Sequence, residues 1–96
     1  METQTIPAYE MPTDPMRQML VTKVIKYFVV QNIFDPISGK VLDVRTCAAL
    51  VTGDDDVLMV ADPDRLRRQL AEPETCAALL GRWPDMRVLY QDVKGN

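Results

Sequence analysis

Apolar residues in this chain occur in short runs, and aspartate, proline and glycine mark most of the breaks between the runs. The run Val57–Ala61 has the length and the largely β-favouring composition of a strand that is buried on both faces. Asp62 and Pro63 follow it with the residue types of a helix N-cap and a first helical position. Gly81 suits a helix end, and Arg87–Val93 is the next run typical of a strand. The pattern therefore predicts a strand, a helical crossover and a second, parallel strand.

The helical region Pro63–Leu80 contains Pro73, which removes a backbone hydrogen bond and is expected to kink or break the helix. Four apolar residues of this region are predicted to face the sheet: Leu66, Leu70, Ala77 and Leu80. Its charged residues are predicted to face water: Arg65, Arg67, Arg68, Glu72 and Glu74.

The first thirteen residues show no hydrophobic periodicity and contain two prolines and three threonines. Residues 1–13 are therefore predicted to be a mobile N-terminal arm, and residues 14–96 a single α+β domain. Tyr9 and Met11 are the apolar anchors by which the arm could dock on the domain or on a partner, although disorder is the favoured interpretation.

Asp14 and Pro15 repeat the signal for a helix start, and the segment Met16–Val21 has the apolar spacing of a turn or two of amphipathic helix. The spacing then fails, because apolar residues between positions 24 and 30 fall on every side of a helix and are mostly β-branched or aromatic. We predict a strand over Lys23–Asn32. A helix continuing through Asn32 is the alternative, since periodicity alone does not separate the two.

The segment Phe34–Lys40 has the residues of a tight turn. Pro36 presets φ, Asp35 can accept a hydrogen bond from a following N–H, and Gly39 supplies a positive φ. The segment is predicted to connect a β-hairpin whose second strand is Val41–Thr46, with alternating sides facing the core and the solvent.

The string Thr-Cys-Ala-Ala-Leu occurs twice, at Thr46–Leu50 and at Thr75–Leu79. The second copy lies in the predicted crossover helix. The first copy is left open as a short helix or a strand end, because a five-residue match is weak support for an internal duplication.

Composition narrows the function classes. The 96 residues are 47% hydrophobic, which suits one globular domain. A net charge of −3 disfavours broad nucleic-acid binding, and the absence of histidine removes the commonest general base and metal ligand. The two cysteines, Cys47 and Cys76, have neither a CxxC spacing nor a nearby base and are predicted to be buried thiols. No signal peptide or membrane span is recognised, so a cytoplasmic location is expected.

Aspartates border the run Val57–Ala61 on both sides. Asp54–Asp56 precede it, and Asp62 and Asp64 follow it, which separates the two groups by roughly 15–17 Å, too far for one metal site. The position of Asp62 at the end of a strand would suit a ligand, but the following Pro63 favours the N-cap. No metal, cofactor or catalytic residue is predicted.

Two further sets of residues have an ordinary and a functional interpretation. Arg65, Arg67 and Arg68 could bind phosphate or an acidic partner, although a solvated helix face is the simpler interpretation. Trp83, the only tryptophan, could close the end of the crossover helix or anchor a partner.

The whole pattern predicts an α+β fold with a small mixed sheet of about four strands: an N-terminal β-hairpin, then the strand-helix-strand crossover, with one kinked helical region on one face. One helical region covers only one face, so the other face must be covered by the segment Met16–Val21, by a second copy or by another protein. An uncovered apolar sheet face or edge would bind a partner, and we expect this. The predicted contact residues are Ile25, Tyr27 and Val29, on one side of the predicted first strand, and Trp83.

The predicted function is therefore a small non-enzymatic protein-interaction module, acting as an accessory, regulatory or inhibitory subunit. Its partner would be another protein or a second copy, with a homodimer as the default form. The alternative is a nucleic-acid or nucleotide binder that acts through Arg65, Arg67 and Arg68.

Overall fold

The computed structural model of the chain describes residues 5–92, which form a three-stranded antiparallel sheet between two helical layers. The small α+β fold is confirmed, whereas the four strands and the N-terminal hairpin are not. The elements are α1 Pro15–Gln31, β1 Ala48–Val51, β2 Val57–Ala61, α2 Pro63–Leu70, α3 Pro73–Arg82 and β3 Arg87–Tyr90.

Strand β1 is the centre of the sheet, and β2 and β3 both pair with it in antiparallel fashion. The strands β2 and β3 therefore run parallel to each other, as the crossover pattern predicts. They are not neighbours, however, because β1 lies between them.

A bulge in β2 determines which of its side chains meet which core. Ala49 pairs with Val60, but after Leu50 the register shifts so that Val51 pairs with Val57. Leu58 is the extra residue that this shift leaves on β2. Val57 and Val60 consequently lie in the same core although they are three residues apart in sequence.

The alternation of β1 distributes its four buried side chains between two cores. Ala49 and Val51 belong to a cluster with α1, and Ala48 and Leu50 belong to a cluster with α2 and α3. Both faces of the sheet are thus covered. Of the possible covers for the second face, the structure has α1, which contains the Met16–Val21 segment, so neither sheet face is open to a partner.

The strand predicted over Lys23–Asn32 is wrong, and the alternative of a continuing helix is correct. Helix α1 runs to Gln31 and buries Val21, Ile25 and Val29, which are spaced four residues apart along one side. β-branched residues tolerate a helix when tertiary packing rewards it, and here the stripe packs on the sheet.

The predicted turn is present, but the hairpin around it is not. Gly39 has a φ of 77°, its N–H donates to the carbonyl of Asp35, and the Asp35 N–H donates to the carbonyl of Lys40. Beyond a single bridge between Phe34 and Val41 no ladder forms. The segment predicted as the second strand instead turns at Asp43, whose carboxylate accepts the N–H of Arg45 and whose carbonyl accepts two further N–H groups.

The repeated string adopts two structures. Its first copy runs from a turn into β1, and its second copy lies inside α3. Pro73 does break the crossover region, and it occupies the first turn of α3. Helix α3 extends to Arg82, so Gly81 lies in its last turn rather than after its end.

The chain before α1 packs on the domain where the structure describes it; residues 1–4 lie outside the described range. The Tyr9 N–H donates to the Val88 carbonyl at 2.8 Å, and the Val88 N–H donates to the Pro7 carbonyl at 2.9 Å. Ile6 and Tyr9 are both buried, one in each core. This segment of the predicted arm therefore covers the outer edge of β3.

Candidate protein-interaction surface

Helix α1 is defined by local signals at both ends. The Asp14 carboxylate accepts the N–H of Met16 at 3.0 Å, and Pro15 takes a position where its missing N–H is no loss. At the other end, the backbone N–H and the side-chain amide of Asn32 both donate to the carbonyl of Phe28. The 17 residues between these ends form a helix about 25 Å long.

This helix carries apolar side chains on its outer side as well as on the side that packs against the sheet. Such a helix is usually buried all round. Here six apolar side chains directed away from the sheet are between 40% and 64% exposed. We call these six residues the outer face of α1: Met16, Met19, Leu20, Val24, Tyr27 and Val30.

A second group of exposed apolar side chains follows α1 in the chain, around the Asp35–Lys40 turn. Ile33, Phe34, Ile37 and Val41 are each more than half exposed. The turn itself is held by hydrogen bonds of Asp35, so these side chains are displayed on a fixed loop.

The structure divides the predicted contact residues between the core and the surface. Ile25 is 1% exposed and Val29 lies beside it in the core, so neither is available to a partner of the folded chain. Tyr27 is 61% exposed and belongs to the outer face of α1. Trp83 is half-buried against the second core, with the Arg82 guanidinium stacked 4.7 Å from its ring.

The three arginines of the alternative prediction lie in three different environments. Arg65, predicted to face water, is buried and forms an ion pair with Asp35. Arg67 makes two hydrogen bonds to the carboxylate of Asp92, at 2.8 and 2.6 Å. Arg68 is exposed and makes no ion pair with any residue from 5 to 92. Two of the three guanidinium groups are therefore already neutralised within the chain.

The Asp35–Arg65 pair is the main buried polar feature of the molecule. Asp35 is fully buried and accepts from Arg65 and from the backbone N–H groups of Ile37, Ser38 and Asp62. Burial alone raises the pKa of Asp35, but the hydrogen bonds, led by that of Arg65, outweigh it and hold the pKa well below its usual range. The pair joins the loop after α1 to the first turn of α2.

A second polar cluster anchors the turn between β1 and β2 to α1. The Tyr9 hydroxyl donates to the Asp55 carboxylate at 2.9 Å, and Arg17 of α1 forms an ion pair with the same carboxylate. Burial and the hydrogen bond to Asp55 raise the pKa of Tyr9 to about 12. Asp55 holds an uncommon φ of 63°, which these contacts stabilise.

The cysteines and acidic residues are the described side chains that could carry chemistry. Within residues 5–92, no three Asp, Glu, Cys or His side chains are grouped so that they could hold a metal ion. Cys47 and Cys76 are both buried, and burial raises the pKa of the Cys47 thiol, which lowers its reactivity. Asp62 is the N-cap of α2, as predicted, and accepts the N–H of Arg65.

Comparison with protein-family models, with curated proteins and with solved structures finds no match for this chain. None of the helices that the structure describes has the length and apolar character needed to cross a bilayer.

Sequence reasoning missed most of the outer face of α1. The sequence places Met16, Met19 and Leu20 in a short amphipathic helix, where their spacing suggests an inward side. The available signal is the apolar composition on every side of the segment between positions 16 and 30, which on a helix leaves one apolar side exposed.

Proposed function

We propose that the protein is a protein-interaction module that binds its partner through the outer face of α1. The observation that carries the proposal is a helix whose inner stripe already packs on the sheet and whose outer side is still apolar. Packing within the chain does not account for that outer side.

The size of the apolar surface supports this proposal. The six side chains of the outer face expose several hundred Å² of mainly apolar surface, which is in the range of the largest patches on monomeric proteins. Tyr27 is the best candidate for an anchor, because aromatic side chains are enriched among the residues that dominate binding energy.

The proposed contact surface is a face of helix α1 and not the sheet face that the sequence predicts. Both sheet faces are covered by helices, and residues 7–9 occupy the outer edge of β3. The nucleic-acid alternative loses support because Arg65 and Arg67 are paired with carboxylates.

Site-specific photo-crosslinking in the native host tests the proposal. A photoreactive phenylalanine analogue at position 27 is expected to yield a covalent protein adduct, and the same analogue at position 74, exposed on α3, is not. Adding Leu20→Lys to the position-27 variant should abolish the adduct, because it places a charge in a desolvated contact. The variant is expected to fold, since Leu20 is exposed.

Two results would contradict the proposal. Identical adducts from positions 27 and 74 would indicate non-specific contact. An adduct that contains nucleic acid rather than protein would favour the arginine-based alternative.

A further inference from the structure

Part of the outer face of α1 is bordered by charges of opposite sign. On one side, Lys23 and Lys26 line a shallow groove along the helix. On the other side, Leu20 and Val24 line a groove together with three consecutive aspartates, Asp54–Asp56, of the turn between β1 and β2. The apolar strip formed by Met16, Leu20, Val24 and Tyr27 thus lies between a basic border and an acidic border, whereas Met19 and Val30 lie on the far side of Lys23.

The basic border has no counter-charge of its own. Helix α1 contains Arg17, Lys23 and Lys26 but no aspartate or glutamate. Arg17 is paired with Asp55, whereas Lys23 and Lys26 are exposed and have no carboxylate partner in the described part of the chain. Two positive charges are therefore available to a partner along this side.

The acidic border likewise keeps unpaired charge. Asp55 is bound by Tyr9 and Arg17. Its neighbours Asp54 and Asp56 are exposed and form no ion pair within residues 5–92. Two carboxylates are therefore available on the side opposite the lysines.

The two borders lie at the same level of the helix. Lys23 and Val24 are adjacent in sequence, so their side chains point about 100° apart, with Tyr27 and Leu20 between them. Asp54–Asp56 adjoin Val24 and Leu20. The lysines and the free aspartates are thus on opposite sides of one segment of α1.

The opposite charges of the two borders favour one orientation of a two-fold dimer over the other. A two-fold axis parallel to α1 pairs two copies with their helices parallel and brings each basic border against the partner's acidic border at the same level. A two-fold axis perpendicular to α1 makes the helices antiparallel and brings lysines against lysines and aspartates against aspartates. Like charges in contact are unfavourable, so the charge pattern selects the parallel arrangement.

We propose that the occupant of the outer face is a second copy of this chain, packed as a two-fold dimer with parallel α1 helices. This inference rests on the proposed function of the outer face and adds the identity and orientation of the partner. In the dimer, Met16, Leu20 and Tyr27 form the apolar centre. Lys23 and Lys26 of each copy face Asp54 and Asp56 of the other.

The area of the proposed interface suits a dimer of moderate affinity. A specific interface of standard size buries roughly 800 Å² on each partner. The outer face supplies several hundred Å² of this, and the two charged borders supply polar surface around it. The expected affinity is in the micromolar range, because the borders contribute weakly and are screened by salt.

Sedimentation of the full chain at low micromolar concentration tests the proposal with two charge-reversal variants. The first is Lys23→Glu with Lys26→Glu, and the second is Asp54→Lys with Asp56→Lys. Asp55 is left unchanged because it has a positive φ and holds Tyr9. Circular dichroism confirms that each variant is folded.

Each charge-reversed variant alone is expected to dimerise at least about tenfold more weakly than the natural sequence, since its attractive borders become repulsive. An equimolar mixture of the two variants is expected to dimerise again, because both borders then join opposite charges. Raising the salt concentration should weaken the natural dimer. Arg68→Glu on α2, the control charge reversal on the other layer, should change nothing.

The remaining outcomes separate this inference from the proposed function. A dimer that Leu20→Lys dissociates but that both charge variants leave intact overturns the parallel arrangement and keeps the surface. A monomer at all concentrations overturns the second copy as occupant, and the photo-crosslinking result then decides the surface alone. A dimer that neither Leu20→Lys nor the charge variants affect forms through another surface; it also overturns the second copy as occupant and leaves the outer face to the photo-crosslinking result.

Discussion

Both helical layers bury apolar side chains against the sheet, but the composition of their outer sides differs. Helices α2 and α3 bury Leu66 and Cys76 and present mainly charged residues and alanine to solvent. Helix α1 buries Val21, Ile25 and Val29 with equal completeness, yet its outer side is mostly apolar. The α2–α3 layer is therefore accounted for by folding alone, and the α1 layer is not.

This difference shows how to separate the residues of α1 that hold the fold from those that packing within the chain does not explain. Apolar composition is the same for both sides of α1, so composition alone does not distinguish them. The exposed fraction of each side chain does distinguish the two sides, because Ile25 is buried and Tyr27, two positions further on, is exposed on the opposite side of the helix. Substitutions on the two sides should accordingly produce effects of different kinds.

The largest effect is expected where the two layers are joined. Asp35→Ala removes the carboxylate that binds Arg65 and three backbone N–H groups, and leaves a buried cation without a counter-charge. We expect a loss of about 3–5 kcal/mol in the free energy of unfolding, measured by urea denaturation. Asp35→Asn, which keeps an oxygen acceptor, should lose less and serves if the alanine variant does not fold. An effect under about 1 kcal/mol, typical of exposed pairs, would show that the pair contributes little.

The same pair predicts acid sensitivity. The pKa of Asp35 in the folded chain is held below its ordinary value of 3.8, so folding disfavours its protonation. Its contribution to stability is therefore complete above about pH 5, and is lost progressively as the pH falls through 3.8 toward the folded-state pKa. The unfolding free energy of the natural chain, and of the control Glu74→Gln at an exposed position on α3, should fall over this range. In Asp35→Asn the fall should be smaller.

The two sides of α1 provide the next comparison. Ile25→Ala should cost about 2–5 kcal/mol, because it leaves a cavity between helix and sheet. Tyr27→Ala should change the unfolding free energy of the monomer by no more than about 0.5 kcal/mol. Thermal or urea unfolding at a concentration below any self-association makes the measurement. Equal losses for the two variants would place Tyr27 in the core and contradict the assignment of the outer face.

A smaller effect is expected in the loop that follows α1. Gly39 has a φ of 77°, and a Cβ there would meet no atom within 4 Å. Gly39→Ala should therefore destabilise the chain by about 1 kcal/mol through backbone conformation alone. Gly81→Ala is the matched control: it lies in the last turn of α3 with equal space and should be neutral or stabilising by up to about 1 kcal/mol. Denaturation midpoints that move together would exclude a conformational cause.

The smallest effect is expected at the surface of the α2–α3 layer. Asp92→Ala removes the partner of Arg67, which is partly exposed, and should cost no more than about 1 kcal/mol. High salt should reduce that difference further. A loss comparable to that of Asp35→Ala would show that this surface is more constrained than its exposure indicates.

Local signals in the sequence predicted local structure well. The caps at Asp14 and Asp62, the break at Pro73 and the positive φ of Gly39 are all present. Each depends on residues within one turn of the chain, so the sequence contains the necessary information.

The features that the sequence does not predict depend on contacts between residues that are far apart in the chain. Whether residues 23–32 form a helix or a strand depends on whether a sheet packs against their apolar stripe. The sequence of the stretch itself does not specify that contact. The repeated pentapeptide is a strand end in one place and a helix in the other, because its neighbours in space differ. The burial of Arg65 depends on Asp35, thirty residues away. The candidate surface was therefore predicted only at Tyr27.

The contact between residues 7–9 and β3 has a consequence for synthesis of the chain on the ribosome. Ile6 and Tyr9 each complete one of the two cores, and they are synthesised well before the strand that holds them. The strand that holds them ends at Tyr90, so more than seventy residues must be added before Val88 can receive Pro7 and Tyr9. Until then the nascent chain exposes apolar surface of both cores. Of the three strands within residues 5–92, β3 is translated last, and it is the strand that holds residues 7–9 in place.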